Sequence, residues 1–121
     1  DYDIEIIEKH HHNKVDAPSG TALLLADEIN EATGNRYHYV YDRHSVRQKR
    51  DPHELGLHAI RGGSIVGDHD VLFCGPDEVI TLSHSAGSRE VFANGAINEA
   101  IFLTGYEKGF YNMKDLMRSL L

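Results

Sequence analysis

Asp3-Ile4-Glu5-Ile6-Ile7 alternates charged with apolar residues and then runs toward His10-His11-His12. A period of two is that of a β-strand with one apolar and one polar face, so the three consecutive histidines stand at a strand's end. A few residues later, Asp16-Ala17-Pro18-Ser19-Gly20-Thr21 precedes Ala22, Leu25, Ala26 and Ile29, which fall at helical spacing, while Asp27 and Glu31 face away. Ser19 can cap a helix from about Gly20 to Thr33, and Gly34 supplies its left-handed stop.

Downstream, Tyr37 to Asp42, Leu57 to Arg61, Val71 to Cys74 and Val79 to Ser85 are rich in β-branched and aromatic residues, with turn signals at Gly62-Gly63 and Gly75-Pro76-Asp77. They read as strands, in part antiparallel neighbours. His44 to Glu54 carries Arg47, Lys49 and Arg50 without apolar periodicity and reads as a long loop, either solvated or touching a partner. A second helix starts after Ser88 and runs to about Leu103, with Phe92, Ala96, Ala100 and Leu103 on one stripe and Gly105 as its stop. Gly95 inside it costs roughly 1 kcal/mol relative to alanine, which points to close packing at that position. Phe110 to Leu121 has a weak helical pattern.

The order strand, helix, several strands, helix gives an α+β domain: an open mixed β-sheet with the two main helices packed on one face. The strands from Leu57 to Ser85 carry apolar residues of both parities, such as Val71 with Leu72 and Val79 with Ile80. The second face is therefore expected to be used for oligomerisation, in a homotetramer of meeting sheet faces, with the loop from Arg43 to Arg50 reaching a neighbour.

At 121 residues, with 40% hydrophobic and 26% charged residues, the chain has the size and composition of one folded domain, expected to cover 1–121. Nineteen acidic against twelve basic residues leave a net charge of -7, which opposes nucleic-acid binding through a general basic field. No run approaches the ~18 apolar residues of a membrane span, and Asp1 to Glu5 is acidic where a signal peptide would be basic, so no membrane partner is expected. One cysteine, Cys74, excludes an internal disulfide framework and fits a reducing compartment, so the expected location is cytoplasmic.

His10, His12 and Lys14 would share one side of the first strand if it persisted that far. A His-x-His pair is a possible zinc half-site, but distant candidates such as His84 and Asp16 have no recognised ligand spacing, so no metal is expected. The free amides at the start of the helix carry partial positive charge, and Gly20 lets an anion approach the backbone. Thr21 adds a hydroxyl donor. An ordinary capped helix would share these features, but His10, His11 and Lys14 place proton donors and a fixed cation just upstream. The combination is that of an active site for an anionic substrate.

The segment His10-His11-His12-Asn13-Lys14-Val15-Asp16-Ala17-Pro18-Ser19-Gly20-Thr21-Ala22 resembles the signature of the 4-hydroxy-tetrahydrodipicolinate reductase family, also called dihydrodipicolinate reductase. Its pattern is His-His, two variable positions, Lys, one variable position and Asp-Ala-Pro-Ser-Gly-Thr-Ala. The resemblance continues through Leu57-His58-Ala59-Ile60-Arg61-Gly62-Gly63-Ser64-Ile65-Val66-Gly67-Asp68-His69, then Ser88-Arg89 and Phe92-Ala93-Asn94-Gly95-Ala96. No Gly-x-Gly-x-x-Gly follows a strand, so the chain resembles the family's carboxyl-terminal half, with the dinucleotide-binding domain expected outside it.

The resemblance implies a reaction of lysine and diaminopimelate biosynthesis, in which NADPH or NADH, bound mainly by the other domain, delivers hydride to C4 of a cyclic unsaturated imine dicarboxylate. It implies that His10 is the catalytic proton donor and Lys14 the catalytic and substrate-holding lysine. His11, Gly20 and Thr21 correspond to substrate contacts, and the amides of Ser19, Gly20 and Thr21 suit a carboxylate. A homotetramer is implied as well. The alternatives are a dicarboxylate-binding or assembly module without catalysis, and metal-dependent hydrolysis on the histidine cluster.

Overall fold

The computed structural model describes residues 2–120. The chain divides into two compact units, one ending at Gly87 and one beginning at Ser88.

The first unit holds β1 (Asp3–His10), α1 (Gly20–Ala32), β2 (His38–Val40), β3 (Glu54–Arg61), β4 (Gly67–Cys74) and β5 (Val79–Ala86). The strands form one five-stranded sheet in the order β2-β3-β1-β4-β5. β1 pairs parallel to β3 and antiparallel to β4, β2 runs parallel to β3, and β5 is antiparallel to β4, so the sheet is mixed. With three helices among the described residues, this is an α+β fold.

Register fixes which side chains share a face. Ile4 lies between Leu55 and Phe73, and Ile6 between Leu57 and Val71. These residues meet Ala22 and Ala26 of α1 in one buried cluster, flanked by Leu25, Ile29 and Tyr39. Alanines at the centre of the α1 interface let the helix approach the sheet closely, and the larger side chains close its rims. Ser19 caps α1 by accepting from the Ala22 amide, and Gly34 takes φ +80° beyond its end, as the local signals require.

The opposite face carries Glu5, Ile7 and Lys9 of β1 beside His58, Ile60, Leu72 and Asp70. Two arginines of the basic loop are engaged within the chain. Arg43 pairs with Glu5 at 2.5 Å and Glu54 at 2.7 Å, while Arg50 binds Glu5, Asp3 and the carbonyls of Ile4 and Glu54. Both arginines are drawn onto the chain's own sheet by acidic β1 and β3.

The second unit contains α2 (Glu90–Leu103) and α3 (Met113–Ser119). Asn112 and Asp115 form a reciprocal capping box that starts α3, the signal within the weakly helical tail. Phe102, Tyr106 and Tyr111 stack through tilted and edge contacts. A Cβ added at Gly95 would meet nothing within 4 Å, so the close packing expected there is absent among the described residues.

Candidate active site

β1 ends at His10 because the chain turns there: the Gly62 amide donates to the His10 carbonyl and the His12 amide to the Gly63 carbonyl. The alternation that would have put His10, His12 and Lys14 on one side therefore stops at its first member. Gly63 sits at φ +52°, a conformation that favours glycine, and so permits this turn. A second turn, with the Lys14 amide donating to the His11 carbonyl, leads toward α1.

The centre of the site is a carboxylate that reasoning from spacing missed. Glu8 is completely buried at the end of the Ile4, Ile6, Glu8 face, where burial of a charge requires full pairing. Arg61 supplies a two-pronged partner, its terminal nitrogens lying 2.7 and 2.8 Å from the two carboxylate oxygens. Ser19 donates its backbone N–H to Oε1 at 3.0 Å, and His10 Nδ1 lies 2.6 Å from Oε2. Burial opposes the Glu8 charge, but Arg61, His10 and the Ser19 amide outweigh it and hold the carboxyl below its ordinary pKa.

These bonds connect the residues singled out by sequence. Glu8 ties the end of β1 to the first turn of α1 through Ser19. Arg61 also donates to the Asp16 carbonyl at 2.7 Å, and the Asp16 carboxylate holds the Lys14 ammonium at 2.8 Å. The Lys14 bond is the main cause of the lowered Asp16 pKa. His10, Lys14, Ser19 and the start of α1 thus belong to one bonded assembly.

Ser19 is 2% exposed, with its amide committed to Glu8 and its hydroxyl to the Ala22 amide and His69 Nε2. Its polar groups shape the turn. The amides of Gly20 and Thr21 have no hydrogen-bond partner among the described residues, and a Cβ at Gly20 would meet nothing within 4 Å. Two such amides at a helix start can accept an anion. His11 is half-buried and His12 exposed in the intervening loop.

His69, like Arg61, is a further residue missed. Its ring stands edge-on to His10 with centroids 5.2 Å apart, and burial first, then the neighbouring His10 charge, lower its pKa. With Thr21, Leu25, Leu82 and His84 it lines a cleft of about 300 Å³. The available signal for Glu8 was its parity with Ile4 and Ile6, which puts a carboxylate on the buried face. Arg61 and His69 lay within the quoted family-like stretch without an assigned role.

Chemically, the site offers a carboxylate-backed imidazole, an ammonium group, two open amides and a hydroxyl. Such a set suits proton transfer to a small, multiply charged acid. Among the described residues, no group of three or more histidine, cysteine or carboxylate side chains is placed to hold a metal ion. No described helix is long and apolar enough to cross a membrane.

Comparison with known proteins bears on the family and the fold. Residues 1–117 match the family model described as dihydrodipicolinate reductase, C-terminus. The chain is 57% identical over 117 residues to 4-hydroxy-tetrahydrodipicolinate reductase from Caldanaerobacter subterraneus subsp. tengcongensis, covering 97% of this chain and 47% of that protein. It is 56% identical over 119 residues to the enzyme of that name from Clostridium tetani, covering 98% and 46%. The chain thus spans about half the length of these curated relatives. The structure of dipicolinate-bound dihydrodipicolinate reductase from Paenisporosarcina sp. TG-14 matches with a TM-score of 0.62 and 31% identity, over 78% of this chain and 37% of that one. By the sequence match and the shared fold together, the chain belongs to the dihydrodipicolinate reductase C-terminal domain family.

Proposed function

We propose that this chain is the substrate-binding and catalytic half of a 4-hydroxy-tetrahydrodipicolinate reductase acting in lysine and diaminopimelate biosynthesis. The observation that carries the reading is the bonded assembly that joins His10, Lys14 and the open amides of Gly20 and Thr21 through Glu8 and Arg61. The substrate is a cyclic imine dicarboxylate. One carboxylate is taken by Lys14, the other by the Gly20 and Thr21 amides with the Thr21 hydroxyl, and His11 borders the ring.

The described residues make no dinucleotide cradle: the sequence has no Gly-x-Gly-x-x-Gly, and the two open amides of α1 suit a single carboxylate. A nicotinamide cofactor, NADPH or NADH, does not fit this chain by itself, and its hydride is supplied from outside the site described here. What this chain contributes is binding and a proton. Reduction at C4 of the conjugated ring leaves an enamine-like carbanion, and His10 delivers a proton to the neighbouring carbon. The isolated chain then binds a dicarboxylate without turning it over.

Assembly belongs to the same reading. Ile7, Ile60 and Leu72 lie on the sheet face opposite the α1 cluster, among the paired charges of Glu5, Lys9 and Asp70. A homotetramer would bury them, and light scattering at micromolar concentration should give a mass several times the 13.6 kDa of one chain. The reaction is tested by following nicotinamide absorbance with substrate. Activity is expected in a protein of the relatives' length and absent in this chain; a full-rate His10→Ala enzyme would contradict the assignment.

A further inference from the structure

We infer that Glu8 is a positioning residue, which fixes the hydrogen of His10 on Nδ1 and so reserves Nε2 as the nitrogen that exchanges a proton with substrate. The inference rests on the reading of His10 as proton donor. It starts from an inventory of the Glu8 carboxylate. The Arg61 fork engages both oxygens, the Ser19 amide adds a second donor to Oε1, and His10 adds a second to Oε2.

Each oxygen therefore has two partners, and the carboxylate plane cannot rotate without breaking several charge-assisted bonds. An ionised carboxylate accepts and does not donate, so the hydrogen in the 2.6 Å contact is carried by His10 Nδ1. In the neutral ring, Nε2 is then the acceptor, and in the protonated ring it is the remaining donor. Gly67 makes room for that nitrogen, since an added Cβ there would lie 3.2 Å from Nε2.

An ion pair whose role was purely structural would have no need to involve a catalytic ring and a substrate cradle. Here the same carboxylate holds both, and Arg61 continues from it to the Asp16 carbonyl beside the Lys14 partner. The arrangement follows the general logic of a base oriented by a third group.

The first test needs no variant: the ¹⁵N shifts of the neutral His10 imidazole in this chain should report the Nδ1–H tautomer. Glu8→Gln removes one acceptor oxygen, and its amide can present N–H to the ring, so the tautomer should move toward Nε2–H. In a protein of the relatives' length, Glu8→Gln should lower kcat by about 10- to 100-fold with KM changed much less, as for other residues that orient a reacting ligand. On a His10→Ala background, Glu8→Gln should cost no further kcat, because its effect passes through the ring. An Nε2–H tautomer in the unaltered chain, or a full additional loss on the His10→Ala background, would overturn the inference. If Glu8→Gln does not fold, the tautomer of the unaltered chain decides. Undiminished turnover by His10→Ala would instead refute the underlying reading of the site, leaving the tautomer result to stand or fall separately.

Discussion

Glu5 and Glu8 stand on the same strand but on opposite faces of the sheet, and each gathers arginine and histidine. Glu5 accepts from Arg43 and Arg50 through Oε1 and lies 2.6 Å from His58 Nε2 through Oε2. Its side chain is 18% exposed, against 0% for Glu8. Both carboxyls are held below their ordinary pKa although burial opposes the charge: His58, Arg50 and Arg43 outweigh it at Glu5; Arg61, His10 and the Ser19 amide at Glu8.

What separates them is the identity of what they hold. Glu5 fastens the loop around Arg43 and Arg50 to the sheet, a task of stability. Glu8 fastens the His10 ring and the start of α1, the groups proposed to meet the substrate. Similar electrostatics therefore serve two purposes, and the purpose is read from the other end of each partner.

The largest expected effect lies on the Glu8 side. In a protein of the relatives' length, His10→Ala and Lys14→Ala should each lower turnover by ~10² or more, in keeping with the contribution of a positioned acid. Glu5→Gln should leave turnover unchanged. Steady-state kinetics showing Glu5→Gln as damaging as His10→Ala would erase the contrast between the two carboxylates.

A smaller effect is expected from Gly56→Ala, whose new Cβ would collide with Glu5 Oε2 and lie 2.9 Å from His58 Nε2. Displacing these side chains should cost about 1–3 kcal/mol, a typical cost of overpacking. Urea denaturation should show the loss, and hydrogen exchange should rise around residues 43–50 but not around the α1 start. Unchanged stability would mean that the Glu5 cluster contributes nothing to the fold.

Acid should erode stability in two stages. His69 has a lowered pKa in the fold, so its contribution is complete above about pH 6.5 and declines as pH falls from there toward its folded value. Glu5 and Glu8, with lowered values, stabilise above the ordinary carboxylate pKa of about 4.3 and lose that contribution as pH falls through their folded values. Urea midpoints should therefore decline first just below neutrality and again below about pH 4.5. Glu5→Gln should weaken the second decline and spare the first; loss of the first in that variant would contradict the assignment to His69.

The smallest effect concerns salt. Pyridine-2,6-dicarboxylate should bind this chain weakly, with an affinity that falls as ionic strength rises, because Lys14 is partly exposed and its charge is screened. Calorimetry giving a salt-independent constant would argue for an apolar contact instead.

The parts of this fold that were legible in the sequence are those specified locally. Alternation placed β1, the Ser19 cap and Gly34 bounded α1, and β5 came within a residue of its observed span. β4 begins at Gly67, where Gly-Asp-His-Asp has little strand propensity; pairing with β1 opposite Glu8 and Lys9 makes it a strand. The site divides in the same way. His10, Lys14, Gly20 and Thr21 were visible because they crowd one short segment. Glu8 became the centre of the site only through Arg61, a partner 53 positions away that parallel pairing of β1 and β3 brings alongside. Arg43 and Arg50 looked free for the corresponding reason: their acidic partners on β1 and β3 are distant in sequence or on another strand.

The central claim is that the end of β1 and the start of α1 form one dicarboxylate site. A titration of the ¹⁵N-labelled chain with pyridine-2,6-dicarboxylate, followed by amide chemical shifts, tests it most directly. The largest changes should fall on Gly20, Thr21, His11 and Lys14, with little change at Glu5, Arg43 and Arg50, and Lys14→Ala should weaken them. Changes centred on the Glu5 face, or a Lys14→Ala chain that binds equally well, would contradict it.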